Sequence, residues 1–371
     1  MFEFTNEQRL CFGLPPVADS WERVQVKPSP HDPFLTFAYL DGNRVQKIIL
    51  LCESTKAQYC EMQLQAVLSA DRSRILPKTE KSKPKRFSSS NLLKSKAVGM
   101  AFYYANGSLT ITNETSGQTY YQSRYNGLDL SDFSSFQKWV AEWCARTGPN
   151  ELREIREFAA AERVRQNYRE GDFFRFRINR TLYGYGRILL DFSKMRKANM
   201  PFWDIFMGKP LCVAVYHIAT ERDDVTPEEL AGLPTLPSQM IFDNIVFYGE
   251  AVIIGNMPIP EEYSDYPIHY GKPISILETG VCYQCGKTFI ALDDKQALYS
   301  QYRNGGIGWN LDVSLPILQK CIETGSNQPY WDLYYPYMVE HDLRNPKFHE
   351  HLIAIRQQVG IQESCSKKDL F

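Results

Sequence analysis

The chain has 371 residues, of which 43% are hydrophobic, 23% charged and 13% aromatic; this globular balance excludes a largely disordered protein and fits two domains, or three. Lys and Arg number 42 and Asp and Glu 43, a net charge of −1, which excludes a uniformly basic coat for nucleic acid. No apolar run approaches the ~20 residues of a membrane span, the opening MFEFTNEQRL predicts no secretory signal, and nine cysteines without framework spacing predict reduced thiols in a cytoplasm.

The N-terminal part reads as β. Phe34 to Leu40 and Val45 to Leu51 are apolar runs around Asp41-Gly42-Asn43, a hairpin signal. Tyr59 to Ala66 alternates with a period of two, as a half-buried strand does. Ala97 to Tyr104 and Leu109 to Thr112 flank Asn106-Gly107 and predict a second hairpin, followed by a short strand at Tyr120 and Tyr121. Between the hairpins, Arg72 to Lys96 carries nine Lys or Arg against Glu80 alone. Such a run suits an exposed, mobile loop or a site for an anionic partner. Apart from Phe87 it lacks the aromatics that stack nucleic-acid bases.

Two helices follow. Ser131 or Asp132 caps one that puts Phe133, Phe136, Trp139, Val140 and Trp143 on one face. Gly148-Pro149-Asn150 breaks it, and the second runs from about Glu151 to Val164. From Gly171 the period of two returns through Ile178. Asn179-Arg180 turns the chain into a return strand, Tyr183 to Leu190. Further β candidates are Leu211 to Ile218 and Ile241 to Ile254. Helices are expected at Gln296 to Tyr302, Ser314 to Glu323 and Lys347 to Gln357, with a frayed tail from Glu363. The resulting division is a mostly-β domain over 1–127, a helical connector over 128–166, a second β domain over 167–279 and a mixed, helical region over 280–371.

Several strings carry possible chemistry. Cys282-Tyr283-Gln284-Cys285-Gly286-Lys287 is half of a zinc knuckle; Cys321, Cys365, His341, His349 and His351 are the available further ligands. The same string also fits a redox dithiol or two buried thiols in a turn. His349-Glu350-His351 falls in a helical pattern, where residues two apart diverge, so an exposed pair is expected. His217 suits a hydrogen-bonded strand histidine. Gly184 and Gly186 lack the third glycine and helix start of a phosphate loop, and suit a bulged or curved strand. Between Pro210 and Gly271 stand ten acids against Arg222 alone, whereas Arg146 to Lys209 holds fourteen Lys or Arg against eight acids. Folding either interleaves and cancels these charges or leaves an acidic face for a basic protein.

The strings Gly171-Asp172-Phe173-Phe174-Arg175-Phe176 and Tyr183-Gly184-Tyr185-Gly186-Arg187-Ile188 resemble the opening of the immunity protein 26 family of bacterial polymorphic toxin systems. Ile253-Ile254-Gly255-Asn256-Met257-Pro258-Ile259-Pro260 resembles its Ile-Gly-x-x-Pro step. The resemblance covers about Tyr168 to Ile276. It implies a mostly-β, cytoplasmic immunity protein that binds and neutralises a cognate toxin protein, with neither membrane nor nucleic acid as partner. Some relatives carry a phosphotriesterase label. Metal-dependent phosphotriesterases are β/α barrels with an early His-x-His pair, whereas this chain has six histidines, its only His-x-His near the C-terminus, and no regular β-α alternation.

The expected fold is therefore α+β, predominantly β: two domains with a helical connector, the second a curved antiparallel sheet or small barrel. The expected function is toxin neutralisation; the alternatives are a phosphotriester hydrolase and a zinc-stabilised, non-catalytic adaptor. Glu221, Asp223, Asp224, Glu228, Glu229, Glu261, Glu262 and Asp265 are the candidate partner-binding residues. No cofactor is expected, zinc at Cys282 and Cys285 being the one candidate.

Overall fold

The computed structural model describes residues 1–28, 34–54, 57–77, 79, 82–192, 209–272, 280–285, 288–302, 308–332 and 342–361. The chain divides into two compact units, Met1–Val164 and Arg165–Phe371. Strand exceeds helix, and every ladder between named strands is antiparallel. None of the described helices is long and apolar enough to cross a membrane.

The first unit opens with the short helix α1 (Asn6–Cys11). Its sheet then runs β1 (Glu22–Val26), β2 (Leu35–Asp41), β3 (Arg44–Cys52), β4 (Gln58–Val67), β7 (Ala97–Ala105), β8 (Ser108–Asn113) and β9 (Gln118–Gln122), in that spatial order. Along the chain a ribbon of β5 (Arg74–Ile75) and β6 (Lys85–Arg86), and the turn α2 (Ser89–Leu92), come between β4 and β7, which pair directly in the sheet. Both expected hairpins form. At Asn106-Gly107 both residues take positive φ, 51° and 75°, as a two-residue turn in a right-twisted hairpin requires.

The continuous apolar run of β3 is explained by burial on both faces. Ile49 and Leu51 join Phe37, Tyr59, Phe102 and Tyr104 in one core, and Ile48 and Leu50 join Ala38, Leu40, Cys60 and Met62 in another. Helices α3 (Phe133–Ala145) and α4 (Pro149–Ala159) cover the first core through Phe136, Val140, Trp143 and Ile155. Phe136 stacks on Tyr104 with centroids 4.2 Å apart. Asp132 caps α3 by accepting the Ser135 N–H at 2.7 Å, and Pro149 stands in the first turn of α4. The helical pair thus packs within the first unit. Glu61 is the fully buried polar centre of that face. It accepts from Arg9 Nε at 2.8 Å, from Tyr59 at 2.7 Å and from the Lys47 ammonium. Burial pushes the Lys47 ammonium below its ordinary pKa, against the pull of Glu61.

The second unit holds an open five-stranded sheet in the order β13-β12-β11-β10-β14. Its strands are β10 (Asp172–Arg177), β11 (Tyr183–Asp191), β12 (Pro210–Thr220), β13 (Gln239–Phe242) and β14 (Val252–Asn256). Register shifts between β11 and β12, at Gly184/Gly186 and Ile188/Leu190, mark bulges. Of the two forms expected, a curved sheet or a small barrel, the barrel is not formed: among the described residues no sheet closes. A three-stranded sheet, β15 (Ile268–Gly271), β16 (Val281–Cys285) and β17 (Thr288–Leu292), packs on it through Leu190, Cys212, Met240, Tyr270 and Tyr283.

Three expectations are corrected. Ile241 to Ile254 is the end of β13, a helical turn Asn244–Phe247 and then β14, rather than continuous strand. Gln296 to Tyr302 forms turns, not a helix: Tyr299 takes φ +48°, which a right-handed helix does not admit. The second connector helix ends at Ala159, not Val164. The helices Leu315–Thr324 and His349–Val359 form within a residue or two of their expected ends. His31, His341, Gly286, Lys287 and the tail from Glu363, with Cys365, lie outside the described residues.

In the five-stranded sheet, Phe174 and Phe176 point at Gly186 and Gly184 of β11. A Cβ at either glycine would collide with the ring facing it. Phe176 is buried, so Phe176→Ala is expected to cost about 3–5 kcal/mol. Gly184→Ala alone is expected to cost about 1–3 kcal/mol by overpacking. In the Phe176→Ala background the added methyl enters vacated space, so Gly184→Ala should cost under about half of that. Denaturant unfolding of the two singles and the double variant measures the coupling; additive costs would contradict the contact.

Candidate functional site

The motif residues of the second unit meet around one edge of the sheet. Gly171 sits at φ +88°, and its carbonyl accepts the Met257 N–H at 3.1 Å. Asp172 is buried and accepts from Asn256 Nδ2 and from the Arg169 N–H, both at 2.7 Å. Arg187 stands opposite Phe173 in the β10–β11 ladder, with its guanidinium 4.6 Å from the ring centroid. It donates to the Met257 carbonyl at 2.6 Å and the Pro258 carbonyl at 2.8 Å. A charged donor shared by two carbonyls and an aromatic face is a strong, directional anchor. These residues therefore fasten the Asn256-Met257-Pro258 segment to the sheet.

The same face of β10 and β11 carries the next two cross-strand pairs, Arg175 with Tyr185 and Arg177 with Tyr183. Arg177 donates to the Arg180 carbonyl at 2.9 Å and the Tyr183 hydroxyl at 3.3 Å, whereas Arg175 and Tyr185 reach the acidic loop that follows β12. Tyr185 donates its hydroxyl to the Arg222 carbonyl at 2.7 Å. Arg175 donates to the Asp223 carbonyl and pairs with its carboxylate at 3.1 Å. Arg222 in turn holds Asp224 at 3.0 Å and Glu229 at 2.8 Å. Its hydrogen bond keeps the Glu229 carboxyl below the usual carboxylate range. Thr226 and Glu229 form a reciprocal cap on the short helix Pro227–Ala231. Val225 and Leu230 close over Phe173 and Tyr216, which stack with centroids 5.9 Å apart.

The eight candidate carboxylates thus fall into different circumstances. Asp223, Asp224 and Glu229 are exposed but paired with arginines of the same unit. Glu221, Glu228, Glu261 and Glu262 are exposed, and no ion pair engages them among the described residues. Asp265 is half-buried: it accepts the Ser238 N–H at 2.8 Å and pairs with Arg344 at 2.7 Å, so it fastens the chain internally.

Cys282 and Cys285 both lie within β16, paired on both sides, Cys282 between Gly271 and Ala291 and Cys285 between Ile268 and Thr288. Residues three apart on a strand project to opposite faces, so this pair does not fit one shared zinc. Among the described residues no group of three His, Cys, Asp or Glu is placed to hold a metal ion. The histidine pair also diverges. His349 is exposed, whereas His351 is half-buried, stacked on Tyr299 at 4.1 Å and bonded through Nδ1 to the Tyr302 hydroxyl at 2.6 Å. His217 is a buried strand histidine bonded to Asn327 at 2.7 Å.

Sequence reasoning did not identify Arg175, Tyr185 and Arg187 as supports. The signal was present: Arg175 and Arg187 stand on the aromatic-rich strands with the wrong polarity for a purely apolar core. What they hold is remote in sequence, 37 to 71 residues away.

Residues 169–275 match a family model described as Immunity protein 26. The match bears out the resemblance carried by the Gly-Asp-x-Phe and Tyr-Gly-x-Gly-Arg strings. No curated protein and no solved structure matched the chain.

Arg187→Gln is expected to destabilise the second unit by about 2–4 kcal/mol, since it removes two charge-assisted bonds and the ring contact. Hydrogen exchange should rise first at the amides of Met257 and of β14. Unchanged melting together with unchanged exchange at those sites would contradict the anchoring role.

Proposed function

We propose that this chain is a cytoplasmic immunity protein that neutralises a cognate toxin by binding it, with the exposed acids of the Immunity protein 26 segment as the docking surface. The observation that carries this reading is the acidic loop after β12: its backbone is held by Arg175 and Tyr185 while Glu221 and Glu228 face solvent without an ion pair among the described residues. A loop already fixed in place loses little conformational freedom on association. Carboxylates so presented attract a basic surface and speed encounter. A toxin that acts on nucleic acid needs such a basic surface for phosphates, and an inhibitor seated on it competes directly with that substrate.

Asp223, Asp224 and Glu229 contribute to the same field, but they also hold the loop together. Reversing them would disturb shape and charge at once. Glu221, Glu228, Glu261 and Glu262 separate the two effects. The variant with all four changed to lysine should melt like the parent protein. Its association rate with the toxin encoded beside it, followed by stopped-flow fluorescence, should fall by about tenfold to a hundredfold at low salt and lose most of its salt dependence. Unchanged association and unchanged protection of toxin-expressing cells would overturn the acidic docking surface.

A further inference from the structure

The first unit contains a cavity of about 410 Å³ that the toxin-binding reading does not use. It lies where the end of β4, the β5–β6 ribbon and the segment after α2 meet. Ala66, Ile75, Leu76 and Pro77 supply its apolar lining, with Ala66 and Ile75 buried as its floor. Lys83, Lys85, Lys94 and Lys96 line it, and among the described residues no carboxylate does. None of these four lysines takes part in an ion pair among the described residues. Glu80, the one acid of the Arg72 to Lys96 stretch, lies outside the described residues, and the nearest described acid in sequence, Asp71, is committed elsewhere, as is Glu22. Asp71 accepts from the Ser69 and Ser73 hydroxyls, which hold its pKa down at about 2, and Glu22 pairs with Arg72 at 2.6 Å.

The ribbon lends one wall to this cavity through Ile75 and Lys85. Arg74 stands directly opposite Arg86, and Ile75 opposite Lys85. Like charges across a strand pair are destabilising, and a two-stranded ribbon is marginal even without that cost. Arg74 and Arg86 project to the face away from Ile75 and Lys85, so the charge that lines the cavity is that of the four lysines, and a bound anion is its counter-charge. The volume falls in the range of small-ligand sites, roughly 300–1,000 Å³. A duplex or an acidic protein face would touch only the lysine rim and leave the apolar floor unused. No aromatic side chain lines the cavity to stack the bases of a single strand.

We propose that this pocket binds a small molecule carrying two or more phosphate charges, with the phosphates among Lys83, Lys85, Lys94 and Lys96 and its less polar body on the Ile75 floor. Inorganic pyrophosphate probes the phosphate subsite, and ATP probes phosphates together with an attached body. Titration calorimetry on the full chain at about 0.15 M salt, where exposed charges are screened beyond ~8 Å, should show one saturable site for at least one of the two. The Lys85→Gln/Lys94→Gln variant should weaken it by at least about tenfold. The Lys138→Gln/Lys320→Gln variant, which removes the same charge from exposed positions outside the cavity, should leave it unchanged. Thermal melting of both variants verifies that they are folded. No saturable binding of either probe, equal weakening by the two variants, or binding of only a single-stranded oligonucleotide with steep salt dependence would overturn the proposal.

Discussion

The rings of Phe174 and Phe176 occupy the space that side chains on Gly186 and Gly184 would fill. The contact admits no Cβ at either of these two positions, and on the next strand the Ala214 carbonyl would stand 2.7 Å from one at Gly186. This close approach pins the register of β10 against β11, because a slip of one residue would turn every side chain to the other face. The register then decides the rest. It sets Phe173 against Arg187 and Arg175 against Tyr185. Those two pairs anchor Met257 and Pro258 on one side and the acidic loop on the other. One packing constraint inside the sheet thereby fixes the surface that is proposed to meet a partner.

Both units bury charge, and both surround it with partners. Glu61 is held by Arg9, Lys47 and Tyr59; Arg344 is held by Asp265, Asp342 and Ser238. A buried charge that lost its partner would be costly, so these groups are structural commitments. The charges left exposed are of one sign in each place: lysines around the cavity of the first unit, glutamates on the loops of the second. The net charge of −1 conceals this separation, and the separation gives the chain two surfaces of different chemistry.

Much of the fold was legible because local periodicity reports local burial. The hairpins, the alternating β4 strand, the Asp132-capped helix and the aromatic strands β10 and β11 all follow from spacing and turn residues. Gln296 to Tyr302 was misread because its spacing suits a helix while Tyr299 takes a left-handed backbone. The break of Ile241 to Ile254 was missed because short apolar runs do not distinguish a strand from a helical turn. Cys282 and Cys285 have the spacing of metal ligands in a turn, but here that spacing falls inside a strand, where it separates the thiols.

Read along the chain, the residues establish a predominantly β, globular protein, an acidic stretch after a basic one, and one recognisable pattern that joins Gly171 to Ile188 with the Gly255 to Pro260 step. These are properties of composition and of neighbours along the chain. It took the folded arrangement to show which acids are bound to arginines and which are open, that Arg187 holds Met257 and Pro258, and that four lysines line a cavity. Each of those depends on groups brought together from distant positions. An ion pair or a pocket wall is set by distances in space, and the spacing of residues along a chain does not contain them.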